Sequence, residues 1–323
     1  MRILVDDRWT THQGIGRFAR EVLRRLDGVA VMDLRGRPQD PFDPFRLTVA
    51  LSRATGDIFF TPGYNVPLVT NLPFVFTLHD LLHLQYDRSA LKAQYYNLIV
   101  RPAARKCRCL LTVSESSRSD ILAWARIPSE RVVVVGNGVG MPFCPQGPKY
   151  ASDSPYILYV GNTKPHKNVE RLLRGFARSR AATTVALLLR CSESKPLIDI
   201  ISSLRIQAKV RFLAPVPDAK LAAMYRGAQA VVVPSLAEGF GLPSLEAMAC
   251  GARVVVSDIP SLREIVGPFG IYVDPEQVDS IAVAIDSAVY SREGDNERVM
   301  QVARARSFSW EQVAMRVASK LRE

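Results

Sequence analysis

Short apolar segments of strand length alternate with amphipathic helical segments along almost the whole chain, and this alternation restricts the possible folds more than any other feature. Such a pattern is typical of βαβ units, which place their strands in parallel sheets. It is interrupted once, over residues 136–155, where a stretch rich in Gly, Pro and Ser indicates a linker. With 323 residues, the chain is long enough for two hydrophobic cores.

The sequence therefore predicts the α/β fold class, with two Rossmann-like, parallel-sheet domains that face each other across a cleft. The first domain is predicted over residues 1–145 and the second over residues 146–305. Residues 306–323 are predicted to form a C-terminal helix, because their apolar residues recur with helical spacing. This helix is expected to return toward the first domain. Ligands of such sheets bind beyond the carboxyl ends of the strands.

The individual elements follow from the hydrophobic period. The predicted strands of the first half are residues 3–5, 29–34, 57–60, 74–77, 110–113 and 132–135. Those of the second half are residues 156–160, 185–189, 210–213, 230–233, 253–256 and 271–273. The predicted helices are residues 16–26, 90–106 with an interruption at Pro102, 169–179, 218–227, 243–250, 278–290 and 308–322.

Cysteine and histidine usage gives no sign of a metal or redox site. The five cysteines form no C-x-x-C pair, and their scattered spacing fits reduced thiols in the cytosol. The four histidines are few, and no metal-binding motif stands out among them. No apolar run approaches the roughly 18 residues of a membrane span, and the N-terminal strand is too short for a signal peptide. We therefore expect a soluble chain that stays in the cytoplasm.

The formal net charge is +11, and the excess leans toward the first half. Residues 1–150 hold 20 Lys and Arg against 13 Asp and Glu, whereas residues 151–323 hold 22 against 18. Basic surfaces attract nucleic acid, anionic lipid or acidic substrates. No basic run is interleaved with aromatic residues, which disfavours nucleic acid. A merely solvated basic surface remains an open alternative.

Residues 234–251, PSLAEGFGLPSLEAMACG, are the most informative segment of the chain. A predicted strand is followed by a glycine-bearing loop, and Pro243 stands where the first residue of a helix is expected. Gly239 and Gly241 allow a ligand to approach the backbone closely. This order of strand, tight loop and helix N-terminus predicts a phosphate site, since free N–H groups and the helix dipole meet the anion there.

Two carboxylates flank this predicted phosphate site. Glu238 lies in the loop, and Glu246 lies about one turn into the helix. A carboxylate next to a phosphate is unexpected, because both groups are negatively charged. Accepting hydrogen bonds from sugar or ribose hydroxyls would explain the presence of both carboxylates. The alternative for Glu246 is an acid in the first turn that stabilises the helix through its dipole.

The segment resembles the Glu-x7-Glu signature of the family 4 retaining glycosyltransferases, in the form EGFGLPSLEAMACG, almost residue for residue. Other segments resemble family motifs in the same order along the chain. They are GIGRF at 14–18, HDL at 79–81, VSESS at 113–117, NGV at 137–139, YVGNTKPHKN at 159–168 and FSW at 308–310. The resemblance spans the whole chain and implies the GT-B fold, which agrees with the two predicted halves.

The resemblance also implies roles for residues of this sequence. Glu246 would bind the nucleotide ribose, Glu238 would touch hydroxyls of the donor sugar, and Lys167 would neutralise the leaving diphosphate. His79 would be the fourth candidate catalytic residue, as a polar positioner of substrate and not as a base. Further substrate contacts are implied for Gly14, Ile15, Gly16, Asp80, Asn162, Lys164, Ser235, Gly239, Phe240, Gly241, Leu242 and Pro243.

One position departs from the family pattern. Many relatives have an arginine directly after the glycine that follows the strand at 156–160, whereas this chain has Asn162, with Lys164 two residues on. A subgroup with the pattern G-N-x-x-P-H-K-N shares this feature, so we interpret it as a variant and not as a loss of activity. For Lys167 the alternative is a solvated surface lysine.

His79 follows a predicted apolar strand at its carboxyl end. Asp80 is interpreted as a residue that orients His79 or binds the acceptor, and a purely structural His–Asp pair is the alternative. His12, His83 and His166 are interpreted as ordinary loop or surface residues.

Other functions remain as alternatives. Gly14, Gly16 and Ala19 match the G-x-G-x-x-A fingerprint of dinucleotide-binding folds, with Asp33 about twenty residues on. That fingerprint needs its first glycine directly after the strand, and the intervening residues 6–13 argue against NAD. A sugar-nucleotide epimerase of GT-B architecture and a non-catalytic nucleotide-sugar-binding subunit also stay open.

The resemblance implies a hexosyltransferase of polysaccharide or lipopolysaccharide biosynthesis that uses a nucleoside diphosphate sugar, with mannose from GDP-mannose favoured. It implies retention at the anomeric carbon, no cofactor and no metal. The acceptor is expected to be a glycan or lipid-linked glycan, recognised by loops around 36–46, 61–70 and 83–95. Because the first half is basic, we also expect peripheral contact with the anionic inner face of a membrane, and no nucleic-acid partner.

Overall fold

The computed structural model describes residues 1–11, 14–87, 89–291 and 294–323. Contacts between residues divide the chain into two compact units. Unit 1 comprises Met1–Gly138 and Ser309–Glu323, and unit 2 comprises Val139–Phe308. The sequence predicts these boundaries after residues 145 and 305.

Unit 1 is built on a six-stranded parallel sheet in the order β2-β1-β3-β4-β5-β6. Its strands are β1 (Ile3–Val5), β2 (Val29–Val31), β3 (Ile58–Thr61), β4 (Phe74–Thr77), β5 (Cys109–Thr112) and β6 (Val132–Val134). They are short apolar runs because a parallel sheet is covered on both faces. All six predicted strands of this half are present, with ends that differ by three residues or fewer.

The helices of unit 1 connect these strands. They are α1 (Ile15–Leu23), α2 (Asp43–Arg53), α3 (Leu82–Tyr86), α4 (Ala90–Tyr95), α5 (Arg101–Lys106) and α6 (Glu115–Ala125). The predicted interruption of residues 90–106 at Pro102 is wrong, because a π-helical stretch, Tyr96–Val100, separates α4 from α5 instead. Pro102 is an early residue of α5, where its missing N–H breaks no hydrogen bond of that helix.

Unit 2 is built on a second six-stranded parallel sheet in the order β12-β11-β10-β7-β8-β9. Its strands are β7 (Tyr156–Val160), β8 (Ala186–Arg190), β9 (Val210–Phe212), β10 (Ala230–Val233), β11 (Val254–Ser257) and β12 (Gly270–Val273). Its helices are α7 (Val169–Arg178), α8 (Lys195–Ser203), α9 (Asp218–Gly227), α10 (Leu242–Ala249), α11 (Pro260–Val266), α12 (Val278–Tyr290) and α13 (Asp295–Arg306).

The C-terminal helix, α14 (Trp310–Arg322), belongs to unit 1. Its apolar face shares a core with Phe18 and Val22 of α1. Gly138 lies so close to this helix that a Cβ there would be 2.4 Å from the Trp310 nitrogen. Among the helices of the described ranges, none is long and apolar enough to cross a membrane.

Each sheet contains a point at which the strand order reverses. In unit 1 the first strand, β1, lies between β2 and β3, and in unit 2 the first strand, β7, lies between β8 and β10. Loops that leave the carboxyl ends of strands on either side of such a point run in opposite directions and leave a crevice. The loops after β1 and β3, and those after β7 and β10, are therefore the expected places for a ligand.

Candidate functional site

The candidate site of unit 2 lies at its switch point, where β7 pairs with β10. The loop after β7 carries Lys167, and the loop after β10 carries Ser235 and Glu238. Both loops leave the carboxyl ends of parallel strands, so their side chains meet at one edge of the sheet. The fold thereby joins Lys167 to Glu238 although they lie 71 residues apart in the chain.

The loop after β7 ends in a single turn of 3-10 helix, Pro165–Lys167, followed by Asn168. Asn168 has a left-handed backbone, with φ of 59°. Its Nδ2 donates to the carbonyl oxygen of Pro234 at 2.9 Å and to that of Pro275 at 2.7 Å. These two bonds fasten the turn to neighbouring loops and fix the position of Lys167.

Lys167 and Glu238 form an ion pair at the centre of the site. Lys167 Nζ donates to Glu238 Oε1 at 2.8 Å and to Oε2 at 2.7 Å, and Ser235 Oγ donates to Oε1 at 2.7 Å. Only 17% of the lysine side chain and 7% of the glutamate side chain are exposed. Lys167 is therefore not the solvated surface lysine of the alternative interpretation.

The glycine loop after Glu238 leads directly into α10. Gly241 has φ of 99°, and a Cβ there would lie 2.5 Å from Leu262 Cδ2, so glycine suits this turn. Helix α10 begins at Leu242, one residue earlier than predicted, and Pro243 is its second residue. The first N–H groups of a helix have no partner within it, and together with the dipole they attract an anion. The predicted order of strand, loop and helix N-terminus is thus present.

Gly239 and Phe240, predicted to line the donor, are both buried. The Phe240 ring meets the Phe308 ring edge-on, with centroids 6.0 Å apart. This packing anchors the loop through a side chain, so the loop backbone keeps its position at the start of α10.

Glu246 is 5% exposed and lies beyond the first turn of α10. Its Oε2 accepts a hydrogen bond of 3.0 Å from the hydroxyl of Tyr225 on α9. The first turn of α10 contains no acidic residue, so the interpretation of Glu246 as a first-turn helix-stabilising acid is wrong. The sequence gives no signal for Tyr225, because only the packing of α9 beside α10 brings it to Glu246.

Asn162 and Lys164 form a small turn after β7, and both are exposed. Asn162 Oδ1 accepts from the Lys164 N–H at 3.1 Å, and the Tyr159 hydroxyl donates to the Asn162 carbonyl oxygen at 2.6 Å. The structure places these two residues at the same end of β7 as Lys167 but outside its ion pair with Glu238.

Two of the other histidines are not solvated surface residues. His166 lies in the loop after β7 but is buried, and its carbonyl oxygen accepts from the Leu236 N–H at 2.7 Å. His83 lies on α3, with its ring centroid 4.0 Å from that of Tyr96. His12 lies outside the described residues. Within the described ranges, no three His, Cys, Asp or Glu side chains are grouped so that they could hold a metal ion.

His79 of unit 1 lies just after β4. Its Nε2 is 3.0 Å from the Pro62 carbonyl oxygen, so the Nε2–H donates and the neutral ring keeps an unprotonated Nδ1. Burial lowers the pKa of His79 below the ordinary value of 6.5, and the bond to Pro62 and the charge of Asp80 oppose this only in part. At neutral pH His79 is therefore an uncharged ring with one acceptor nitrogen.

Asp80 lies beside His79, but its carboxylate binds a backbone N–H group. Its Oδ1 accepts from the Leu82 N–H at 3.0 Å, at the start of α3. The structure therefore assigns the orientation of the His79 ring to the Pro62 carbonyl and not to Asp80, which acts on His79 through its charge.

We predict that the imidazole of His79 titrates below pH 6.5 in an NMR experiment, with its signal assigned through His79→Gln. Because the charge of Asp80 raises the pKa of His79, Asp80→Asn is expected to lower it further. A histidine with a depressed folded pKa stabilises the fold above its unfolded pKa, and this stability is lost as pH falls through the folded value. Titration at or above pH 6.5 would contradict a ring that is neutral at pH 7.

The predicted glycine loop at residues 14–16 leads into α1. Gly14 has φ of 69°, and α1 begins at the next residue. A Cβ on Gly16 would lie 3.0 Å from the Thr10 carbonyl oxygen, so this glycine lets α1 start against the turn Arg8–Thr11. Because that turn separates β1 from Gly14, the spacing that the dinucleotide fingerprint needs is not met.

A buried polar network that the sequence analysis missed lies beside this turn. Arg8 forms ion pairs with Asp6 at 2.7 Å and Asp43 at 2.6 Å, and both carboxylates are fully buried. Asn65 Nδ2 donates to Asp6 at 2.6 Å and to Asp43 at 3.0 Å, and Trp9 Nε1 donates to Asn65 Oδ1. Burial alone would lower the pKa of Arg8, but the bonds and charges of the two aspartates raise it above the ordinary value. The network ties the loops after β1 and β3 together.

Comparison with known proteins decides the family. The model of the glycosyl transferases group 1 matches residues 145–307, and that of glycosyltransferase family 4 matches residues 7–141. The chain belongs to the family of the glycosyl transferases group 1. Lys167, Glu238 and Glu246 lie in the first matched range of the glycosyltransferase, and His79 and Gly14 lie in the second.

The glycosyltransferase is similar to several named proteins. It is 33% identical to O-antigen chain mannosyltransferase B of Escherichia coli over 238 residues, which cover 68% of this chain and 62% of the relative. It is 29% identical to O-antigen chain mannosyltransferase RfbU of Salmonella typhimurium, with 74% and 67% covered. The chain thus spans about two thirds of the length of these relatives.

Solved structures show the same fold. Sucrose-phosphate synthase from Thermosynechococcus elongatus matches with a TM-score of 0.79 at 19% identity, over 100% of this chain and 98% of that chain. Anabaena HepE in complex with UDP-glucose matches with a TM-score of 0.77 at 17% identity, over 100% and 99%. The predicted GT-B fold, with two six-stranded parallel sheets, is therefore confirmed.

Proposed function

We propose that this glycosyltransferase moves mannose from GDP-mannose to a hydroxyl of a glycan or lipid-linked glycan, with retention at the anomeric carbon and without a metal. The observation that carries the proposal is the shielded Lys167–Glu238 pair beside the start of α10, with Glu246 buried one turn further on. The printed names of the similar mannosyltransferases support the choice of sugar.

Lys167 and the start of α10 provide positive charge for the diphosphate. Departure of a nucleoside diphosphate builds negative charge on its phosphate oxygens, and a fixed ammonium stabilises that charge. Lys167 is held on one side by Glu238, so its position is set before a phosphate approaches. The backbone at Gly241 allows the phosphate to come close to the helix N-terminus.

Glu238 keeps capacity for one more hydrogen bond. An ionised carboxylate has about four acceptor positions. Three of them are taken by the two bonds from Lys167 and the one from Ser235. A single hydroxyl of the donor sugar is a suitable fourth partner, which agrees with the role implied by the family resemblance.

His79 acts in this proposal as a polar positioner. Its neutral ring donates through Nε2 to Pro62, so Nδ1 is left to accept a hydrogen bond from a substrate hydroxyl. An uncharged imidazole orients a substrate hydroxyl without adding charge beside it. Gly14 and Gly16 contribute backbone to substrate binding at the start of α1.

Transfer of radiolabelled sugar tests the proposed donor. We expect label from GDP-mannose, and not from UDP-glucose, to enter a glycan or lipid-linked glycan fraction, with the α-anomer retained and with no loss on addition of EDTA. Glu238→Gln is expected to reduce the transfer, whereas the exposed Glu276→Gln leaves it unchanged. Transfer from the UDP-sugar alone would overturn the choice of GDP-mannose, and EDTA-sensitive transfer would overturn metal independence.

We also propose that the chain works at the cytoplasmic face of a membrane, through an apolar patch of unit 1. The patch consists of Phe42, Phe45, Leu68, Val69 and Leu98, whose exposed fractions run from 46% to 73%. Thr48 Oγ1 of α2 accepts from the N–H groups of Leu68 and Val69, which holds the two parts of the patch together. Leu68, Val69 and Leu98 also line one cavity of about 370 Å³, together with Lys106. Exposed apolar side chains next to a lysine suit an anionic lipid surface.

Sedimentation with vesicles tests this contact. Phosphatidylglycerol-containing vesicles are expected to bind the wild type, and Val69→Asp with Leu98→Asp is expected to weaken binding by about tenfold, since apolar burial is lost. The matched control is Val283→Asp with Val299→Asp, two equally exposed valines of unit 2. Equal binding by both double variants, or indifference of the wild type to lipid, would rule out the patch.

A further inference from the structure

Tyr225 places a hydroxyl group inside the core of unit 2. It lies on α9 and is fully buried, and its hydroxyl donates to Glu246 Oε2 at 3.0 Å. A buried tyrosine hydroxyl needs a polar partner, whereas a phenylalanine would fill nearly the same space without that need. The hydroxyl group of Tyr225 and the carboxylate of Glu246 are therefore matched to each other.

Neighbouring residues fix the position of the Tyr225 ring. Phe143 packs against it, with ring centroids 6.0 Å apart and ring planes tilted by 56°. The next residue, Arg226, donates to the Pro148 carbonyl oxygen at 2.9 Å, which anchors the end of α9. A hydroxyl on a fixed ring gives Glu246 a donor whose direction does not change.

We infer that Tyr225 is a positioning residue that orients the carboxylate of Glu246 for the ribose and so sets the preference of the site for ribose over deoxyribose. The inference rests on the proposed function, in which Glu246 accepts hydrogen bonds from the nucleotide ribose. A carboxylate without a fixed donor rotates about its last side-chain bond, and a ligand must then stop that rotation at an entropic cost. Tyr225 stops it beforehand, so the directions in which Glu246 accepts are set in advance.

Tyr156 provides a matched control. It is 2% exposed, and its hydroxyl donates at 2.8 Å to the carbonyl oxygen of Met224, the residue before Tyr225. Tyr156→Phe therefore removes one buried hydroxyl bond to the same helix but leaves Glu246 untouched. Both phenylalanine variants are expected to fold, and Tyr225→Phe is expected to lower Tm more, because its lost partner is a buried carboxylate while the Met224 carbonyl keeps its bond from the Ala228 N–H.

Calorimetric titration of the wild type and the two variants with GDP, 2′-deoxy-GDP and 3′-deoxy-GDP tests the inference. The wild type is expected to bind GDP about tenfold or more tightly than at least one deoxy analogue, because Glu246 loses a hydroxyl partner there. Tyr225→Phe is expected to reduce this ratio to about threefold or less, whereas Tyr156→Phe keeps it. If Tyr225 had only a structural role, Tyr225→Phe would weaken the binding of all three nucleotides equally and leave the ratio of their Kd values unchanged. That result would overturn the inference.

A double-mutant cycle with Glu246→Gln shows whether Tyr225 acts through the carboxylate. In the Glu246→Gln background, Tyr225→Phe is expected to change the Kd of GDP by less than about twofold, since the group it positions is already altered. An undiminished effect of Tyr225→Phe there would contradict action through Glu246.

The wild-type titration separates this inference from the proposed function. If the wild type binds no nucleoside diphosphate, or shows no preference for ribose, the assigned role of Glu246 fails and the inference falls with it. If the wild type prefers ribose and Tyr225→Phe keeps that preference, only the inference falls. If the wild type prefers a base other than guanine, the same ratios are measured with the deoxy analogues of that nucleotide and decide the inference in the same way.

Discussion

Replacing Lys167 with methionine is expected to lower kcat by about 10²–10³-fold, which is the size of effect seen when a preorganised stabiliser of developing charge is removed. Methionine keeps much of the length of the side chain but removes the ammonium, so the leaving diphosphate loses its fixed positive partner. Glu238 keeps its bond from Ser235 at 2.7 Å, and the loop after β10 is therefore expected to stay in place. The measurement is transfer from a saturating donor, together with Tm to confirm folding.

Two further variants serve as controls for Lys167→Met. Lys209→Met removes a half-buried lysine of unit 2 that donates to the Thr183 carbonyl oxygen at 2.9 Å, and it should leave kcat within about twofold. Lys167→Arg keeps a positive charge, but on a planar guanidinium in place of the ammonium. It should therefore have a higher kcat than Lys167→Met but a lower one than the wild type. If Lys167→Met kept kcat within about threefold of wild type, the assigned role in stabilising the leaving group would be wrong.

Changing Asn168 to alanine is expected to lower the free energy of unfolding of unit 2 by about 3 kcal/mol. The carbonyl oxygens of Pro234 and Pro275 lose their donor, and Arg171 loses an acceptor at 3.0 Å. Alanine also tolerates the left-handed φ of 59° less well than asparagine. Urea denaturation measures the loss, and kcat is expected to fall as well because the turn that carries Lys167 loosens.

Glycine at position 168 separates the two causes. Asn168→Gly loses the same hydrogen bonds but relieves the backbone, so it should be about 1 kcal/mol more stable than Asn168→Ala. Asn296→Ala, at an exposed position of α13, should change stability by less than about 0.5 kcal/mol. A loss below about 1 kcal/mol for Asn168→Ala would show that the two carbonyl bonds do not hold the turn.

The strands and the loop into α10 could be predicted from the sequence because they depend on local pattern. Parallel strands buried on both faces read as short apolar runs, and β1, β4, β7 and β10 have the predicted bounds. The segment from β10 to α10 combines an apolar run, glycines and a proline within a few residues. These neighbouring residues determine the local backbone conformation without help from distant contacts.

Two of the helices missed by the sequence analysis, α6 and α13, have weak hydrophobic periods. In α6 the buried stripe is Ser117, Ile121 and Ala125, so a small polar residue and a short apolar one hide the amphipathic pattern. In α13 only Gln301, Val302 and Ala305 are buried, among many charged residues. Packing against the rest of the unit, and not intrinsic pattern, decides these helices.

The candidate site could be predicted as a set of residues but not as a set of contacts. The family resemblance marks Lys167, Glu238 and Glu246, yet the ion pair between the first two depends on the reversal of strand order at β7. The bond from Tyr225 to Glu246 depends on how two helices pack. Sequence motifs carry no information about either arrangement, because both are set by contacts between distant parts of the chain.

Thermal stabilisation by a panel of nucleoside diphosphates, their sugars and NAD, for the wild type and for Glu246→Ala, tests the central claim most directly. Ligand that binds the native state raises Tm by mass action, by about 5 °C or more at roughly 100 times Kd. We expect GDP and GDP-mannose to stabilise the wild type and to lose this effect in Glu246→Ala. Stabilisation by NAD and by no nucleoside diphosphate, or equal stabilisation of the two proteins, would contradict a nucleotide-sugar site at Glu246.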